Sequence, residues 1–343
     1  MATSATPQEH ELLQAARDGD EWAFRELMEA RRAELHAHCY RMLGSVHDAE
    51  DALQDALLRA WRGLGRFEGQ SSLRTWLYRI ATNTCLDVIG RRPKRVLPMD
   101  YGPAFDPHDT FGEPLVESVW LEPYPDERLG VGDGFVGPEA TYEQRESVEL
   151  AFVAALQHLP ARQRAALILR EVLGFSAQEV AESLDTTVAS ANSLLQRARA
   201  TVDARLPDES QQATLRSLGD ERLSEIVEGY MEALEQGDTE ALIAMLTEDA
   251  AWSMPPTPTW YRGHESLRVF LHDGPFTVRW RHVSVRANGQ PAVGCFRWNE
   301  ERAIYAAYIL DVLTLRGGKI CEVTAFIDSE IFKSFGLPDE LPA

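Results

Sequence analysis

Residues 96–138 carry nine acidic side chains against one basic, are dense in proline and glycine, and show no sustained hydrophobic period. Such a stretch cannot pack a core of its own, so the chain must fold as separate blocks on either side of it. At 343 residues, two or three domains are expected, each long enough to bury a core. One part of the stretch resists this description. Leu115 to Leu129, LVESVWLEPYPDERL, brings Val116, Val119, Trp120, Leu121 and Tyr124 together. Exposing them all is unfavourable, so this run either docks on a neighbouring surface or forms a short helix against its own domain.

Before the break, from Gly19 to Arg92, apolar residues recur at three and four, as in Trp22, Phe24, Leu27 and Met28 and again in Leu53, Leu57, Ala60 and Trp61. The periodicity predicts four helices, with Asp18 or Asp20, Ser45 to Asp48, and Ser71 or Ser72 as starting signals and Pro93 as a stop. After the break, helical periodicity resumes from Pro138 to Leu206. FSAQEVAESLDTTVASANSLLQRARATV reads as helix, turn, helix, with Ser176 capping the first helix, Asp185 in the turn, and Thr186 or Thr187 starting the second. Beyond Pro207 come two helical stretches, Leu223–Gln236 and Thr239–Leu246. Alternating apolar runs follow, with turn signals at Asn288-Gly289 and Gly317-Gly318. Helices followed by antiparallel strands predict an α+β domain with a curved sheet.

The formal net charge of −20 argues at first against nucleic acid, because a polyanion is bound through lysine and arginine. Its distribution says otherwise. Residues 1–95 are neutral, and 96–138, 139–206 and 207–343 carry −8, −2 and −10. Within the neutral part, residues 66–95 hold seven basic side chains against Glu68 and Asp87, a local patch of +5. The four cysteines, Cys39, Cys85, Cys295 and Cys321, form no CxxC or Cys/His cluster, so no zinc, disulfide framework or other cofactor is expected. MATSATPQEHELLQ lacks the basic start and apolar stretch of a signal peptide, and no apolar run reaches membrane-spanning length. A cytoplasmic protein without membrane contact is expected.

Two adjoining segments carry chemistry. DAEDALQDALLRAWR places Asp48, Asp51, Gln54, Asp55 and Leu58 on one helical face, which suits a partner's arginines, although a solvated face has the same pattern. RFEGQSSLRTWLYRIATNTCLDVIGRRPKR then combines Phe67, Trp76, Tyr78 and Asn83 with the basic patch, the mixture that stacks unpaired bases and holds phosphate. Part of this set, Trp76, Leu77 and Ile80, also reads as core.

In sequence, these segments resemble the second conserved region of bacterial sigma factors of the extracytoplasmic-function class. In that family the first helix contacts the clamp helices of core RNA polymerase, and the second, with its preceding loop, melts and reads the −10 promoter element. The resemblance implies that Asp48, Asp51, Gln54 and Asp55 face polymerase and that Phe67, Ser71, Arg74, Trp76, Arg79 and Asn83 face the promoter. The helix-turn-helix is similar to the family's fourth region, which reads the −35 element through the major groove. Its second helix offers Ser190, Asn192, Ser193, Gln196, Arg197 and Arg199 to base edges and phosphates. Where the family carries a Val-Lys-Ser-Arg run, this chain has Ala191, Asn192, Ser193 and Leu194, two cations fewer, which implies weaker −35 affinity.

The remaining 137 residues, with YMEALEQGDTEALIAMLTEDAAW, YRGHESLRVFL and KICEVTAFIDSEIFKSFGLP, resemble the SnoaL-like branch of the NTF2-like cone fold. Sigma factors with such an extension form groups marked by a Trp-Leu-Pro-Glu-Pro-like linker and a Gly-rich turn, to which WLEPYPD (Trp120–Asp126) and RGGK (Arg316–Lys319) are related. The implied architecture is two all-α sigma domains, a helical bundle (1–95) and a helix-turn-helix bundle (139–206), joined by an acidic linker (96–138) and followed by an NTF2-like cone (207–343). Such a cone can enclose a pocket, for which Trp252, Met254, Trp260, Trp280, His282, Tyr305 and Tyr308 are candidates, though each also fits as packed core. For catalysis, His282 and Asp311 are the only acid and base pair to nominate. The expected function is a non-enzymatic sigma factor that binds core polymerase and promoter DNA. Intramolecular contacts among cone, linker and sigma domains are expected to tune it, and a ligand-sensing or enzymatic cone is the alternative.

Overall fold

The structure, a computed structural model, describes residues 7–69, 71–108, 113–115, 119–129, 147–207 and 209–343. Val116 and the boundary expected between 138 and 139 lie outside the described residues. The chain forms two compact units, neither continuous in sequence. The described residues of the first fall within 7–94, 128–129 and 155–205, and those of the second within 95–127, 147–154 and 206–343.

The first unit is helical. It opens with α1 (Pro7–Arg17), α2 (Glu21–Leu43), α3 (Val46–Leu64) and α4 (Leu73–Ile89). Asp20, Ser45 and Ser72 are the N-caps of the last three, each accepting from first-turn amides. Three helices, not the expected four, lie between Gly19 and Arg92. Helix α2 runs unbroken for 23 residues, and α1 lies before Gly19. The apolar stripes of α2, α3 and α4 meet around Leu27, Tyr40, Leu53, Leu64, Leu77 and Cys85, all buried.

After the short α5 (Pro98–Tyr101) of the second unit, helix α6 (Leu150–Gln157) begins in the second unit and ends in the first, where α7 (Ala161–Leu167), a π turn (Ile168–Val172), α8 (Ala177–Ser183) and α9 (Val188–Asp203) follow. Ser176 and Glu179 form a reciprocal capping box on α8. Asp185 takes the left-handed turn at φ 49 and Thr187 caps α9, as the sequence predicts. Buried Arg164 fastens this half to α2. Its guanidinium donates to the carbonyls of Met42, Gln157 (3.2 Å) and Leu159 (3.3 Å), while Gln157 Nε2 donates to Arg41 O at 3.3 Å. Burial lowers the Arg164 pKa to about 10, so it stays charged at neutral pH while satisfying the last carbonyls of α2.

In the second unit, α10 (Gln211–Gln236), kinked where Gly219 takes φ 75, and α11 (Thr239–Met245) precede a mixed sheet. The strands are β1 (Leu246–Ser253), β2 (Trp260–Arg262), β3 (Trp280–Ala287), β4 (Gln290–Asn299), β5 (Ile304–Arg316), β6 (Lys319–Phe326) and β7 (Glu340–Pro342), with α12 (His264–Asp273) after β2. Their order is β2-β1-β6-β5-β4-β3, with β7 on β5. Every pair is antiparallel except β1 with β6, a parallel closure that alternation alone did not reveal. Helices α10, α11 and α12 pack their apolar faces against this sheet around Tyr230, Trp252, Leu267, Val293 and Leu313.

The linker run docks on this unit. Trp120, Leu121 and Tyr124 are buried, and Val96 pairs with the run through Val96 N to Val119 O (2.8 Å) and Leu121 N to Val96 O (3.1 Å). The β3–β4 hairpin turn holds it. Asn288, at φ 57, donates its amide to Tyr124 O and accepts Tyr124 N at Oδ1, each at 2.8 Å, and its Nδ2 donates to Val148 O at 2.7 Å. Gly289 N donates to Asp126 Oδ1 (2.7 Å), and Gln290 Oε1 accepts Leu150 N (2.9 Å). Glu149 accepts the amides of Gln211 and Gln212, at 3.1 and 2.7 Å, and so caps α10.

Asn288→Ala leaves the Tyr124 amide and the Val148 carbonyl buried without partners and puts alanine in a left-handed position. We expect a loss of roughly 2–4 kcal/mol in urea unfolding of the full chain, accompanied by red-shifted tryptophan emission as Trp120 is released.

Candidate functional site

On α3, the residues Asp51, Gln54, Asp55 and Leu58 are exposed along one face. Asp48 is not part of it: its carboxylate is buried against the Arg92 guanidinium, so its role is to hold the chain beyond α4. Beside the face, Phe24, Met28, Leu57, Leu58 and Trp61 line a groove of about 450 Å³ between α2 and α3. Leu58 is 52% exposed, and Trp22, near the start of α2, is 62% exposed. An exposed apolar groove next to acidic and amide groups fits a protein partner.

The α4 residues divide. Arg79 and Asn83 are exposed and Ser71 is half-buried. Phe67 is buried, its ring 5.1 Å from that of Trp76, so this pair shapes the surface before α4 from beneath. Arg74 turns toward the helix-turn-helix. Its guanidinium lies 5.1 Å from the Tyr78 ring centre and 4.7 Å from that of Phe175, and donates to Leu173 O at 3.2 Å. Next to it, Thr75 Oγ1 donates to Glu179 Oε1 at 2.9 Å. Partial burial works to raise the Glu179 pKa, but hydrogen bonds from Ser176 and Thr75 outweigh it and hold the carboxyl below its usual value.

On α9, Ser190, Asn192, Ser193, Gln196, Arg197 and Arg199 are all exposed, whereas Ala191, Leu195, Ala198 and Val202 face inward. The predicted recognition face is a continuous polar surface. Arg199 pairs with Glu171 at 2.5 Å.

In the second unit, a cavity of about 270 Å³ opens on the concave side of the sheet. Of the candidates, Trp252, Met254, Trp280, His282 and Tyr308 line it, while Trp260 and Tyr305 do not. The Trp260 indole donates to Gly102 O (2.9 Å) in the linker, and Tyr305 packs against Trp298 with ring centres 4.9 Å apart. Simple alternation puts Tyr308 and Asp311, three residues apart, on opposite faces of β5. A bulge brings both to the cavity: Cys295 pairs with Ile309 and Phe296 with Ala307, leaving Tyr308 as the extra residue.

Asp311 also lines the cavity and is 3% exposed. Its Oδ2 accepts the Tyr230 hydroxyl at 2.8 Å and the Cys295 thiol at 3.3 Å, and burial raises its pKa to about 6 despite those bonds. His282 has its pKa lowered to about 4 by burial, although Glu235, 3.3 Å from its Nδ1, works the other way. The imidazole is therefore neutral at pH 7.

Three family models match the chain: "Sigma-70 region 2" over 27–95, "Sigma-70, region 4" over 149–202 and "SnoaL-like domain" over 227–323. The ECF RNA polymerase sigma factor SigG of Mycobacterium tuberculosis is 42% identical over 327 residues, 91% of this chain and 83% of its own length. The chain belongs to the extracytoplasmic-function family of RNA polymerase sigma factors. SigM of M. tuberculosis, also named an ECF sigma factor, is 33% identical over 190 residues, 55% of this chain and 80% of its own. The crystal structure of M. tuberculosis SigJ, an extracytoplasmic function sigma factor, superposes with a TM-score of 0.55 at 22% identity, covering 91% of this chain and 99% of that one. The architecture of helical sigma domains followed by an α+β NTF2-like domain is thus shared with SigJ, and no helix among the described residues is long and apolar enough to cross a membrane.

Within this sigma factor, sequence reading missed Tyr230 and Cys295, the partners of Asp311, and Glu235, the partner of His282. None lies near its partner in sequence: Tyr230 and Glu235 reach theirs through the packing of α10 on the sheet, and Cys295 reaches Asp311 across the β4–β5 pairing. The Asp311 carboxyl binds its proton more tightly folded, at about 6, than unfolded, at the ordinary 3.8, so its contribution to stability is lost as pH rises through 4 to 6. Asp311→Asn removes that penalty. Melting curves of variant and wild type should diverge in favour of the variant between about pH 4.5 and pH 7.5, by roughly 3 kcal/mol in the limit set by the shift.

Proposed function

We propose that this sigma factor directs core RNA polymerase to its promoters through three surfaces, in the cytoplasm and without making or breaking a bond itself. Asp51, Gln54 and Asp55 hold the polymerase, with Asp48 fixing the Arg92 segment beside them. Phe67, Ser71, Arg74, Trp76, Arg79 and Asn83 form the −10 surface, in which Phe67 and Trp76 act as its foundation and Arg79 and Asn83 as its outward groups. Ser190, Asn192, Ser193, Gln196, Arg197 and Arg199 meet the −35 element. The division into 1–95, 96–138, 139–206 and 207–343 belongs to this reading, with the last part tuning output in cis. The observation that carries it is the joint exposure of the α3 acidic face and the α9 polar face in a chain whose promoter-facing helix lies within the +5 stretch.

Run-off transcription with core polymerase and the full chain tests it. Asp51→Arg with Asp55→Arg should weaken core binding at least about tenfold while leaving the fold intact, because both side chains are exposed. Arg197→Ala should lower the holoenzyme's affinity for −35 DNA across sequences and flatten its salt dependence by about one unit of slope. Unchanged core binding in the double variant would remove the polymerase assignment.

A further inference from the structure

The cavity of the SnoaL-like domain has features that a packed core does not need. Two aromatic pairs form much of its lining, Trp252 with Phe270 (ring centres 5.7 Å apart) and Trp280 with Tyr308 (6.1 Å). The Trp280 indole is fixed by donation to Pro275 O at 2.7 Å. Thr277, Val278 and Arg297, all exposed, stand at its mouth. Among these apolar walls the domain buries a carboxylate. Both hydrogen bonds described for that carboxylate, from Tyr230 and Cys295, end on Oδ2, which leaves Oδ1 for the cavity. His282 adds a second acceptor: Glu235 holds its Nδ1, so the neutral ring presents Nε2 as a lone pair. Acceptors that line a cavity call for donors inside it, a demand that leucine or valine at position 311 would not make.

We propose that this cavity binds a small, flat, largely apolar molecule that carries a hydroxyl or N–H group and donates it to Asp311 Oδ1. The volume of about 270 Å³ lies at the lower edge of ligand sites, roughly 300–1,000 Å³, and suits a molecule of about two fused rings. The aromatic pairs supply stacking surface, and the buried acceptor supplies selection, because a ligand lacking the donor leaves Oδ1 unsatisfied. The raised proton affinity of Asp311 accords with a carboxyl kept out of water. This site is confined to the second unit and stands independently of the polymerase and promoter assignments.

Equilibrium dialysis of the full chain against 2-naphthol and against 2-methoxynaphthalene, which has the same rings but no donor, tests the proposal. One 2-naphthol per chain should bind with a Kd of about 100 μM or below, at least about tenfold tighter than the ether. Asp311→Asn keeps the shape and an acceptor for Tyr230 but turns an amide N–H toward the cavity, so the preference should fall to near unity while the variant still melts cooperatively. Ala325→Leu, which fills the cavity from β6, should abolish binding of both probes. Equal affinities in the wild type, no saturable binding below about 1 mM, or an undiminished preference in a folded Asp311→Asn would each overturn it.

Discussion

The second unit depends on a two-residue turn. Asn288 and Gly289, at φ 57 and φ 70, close the β3–β4 hairpin with the twist that antiparallel strands favour. That conformation turns the Asn288 amide and side chain outward, where they meet the backbone of Tyr124 on one side and of Val148 on the other. One turn therefore fastens Tyr124, inside what reads in sequence as a free linker, and Val148, beyond it. The buried Trp120, Leu121 and Tyr124, the bond of Asp126 to Gly289 and the Glu149 cap on α10 all follow from that attachment. The unit is consequently discontinuous in sequence, and residues 95–127 are part of its fold.

In the first unit the comparable element is Arg164. A charged guanidinium is costly to bury, and it is kept here because it meets carbonyls at the end of α2 and at the end of α6 together. The two sigma regions thereby share one compact body. This has a consequence for the promoter surface: the Arg74 guanidinium cannot lie on the Phe175 ring and on a DNA phosphate at once, and Thr75 is likewise engaged by Glu179. The α3 face carries no such engagement. The surfaces proposed for polymerase and for promoter thus differ in how open they are in this conformation.

Local signals were legible in the sequence because each is settled by one or two residues. Ser176, Asp185 and Thr187 bounded the helix-turn-helix, Asn288-Gly289 and Gly317-Gly318 marked turns, and three-and-four spacing gave the inward and outward faces of α3 and α9. What was hidden depends on partners far along the chain. Asp48 has the spacing of an exposed residue and is buried because Arg92 folds back on it. Trp260 and Tyr305 look like pocket aromatics, yet one serves the linker and the other lies on the opposite face of β5. The bulge at Tyr308 leaves no mark in the alternation, and without it the cavity would lose one of its aromatic walls.

The charge distribution reads differently once the acids are placed. Counted in sequence, residues 96–138 carry −8, which suggests a repulsive tether. Several of those carboxylates do not stand free in solvent. Glu122 meets Arg95 at 3.3 Å, and Asp126 takes the Gly289 amide and, at 3.3 Å, Arg286 Nε. Just past the linker, Glu149 is spent on two helix amides. A carboxylate bonded to amide donors or a guanidinium has most of its field cancelled locally, so the stretch presents less negative potential than its formal charge implies. Glu122 and Asp126 act as docking groups.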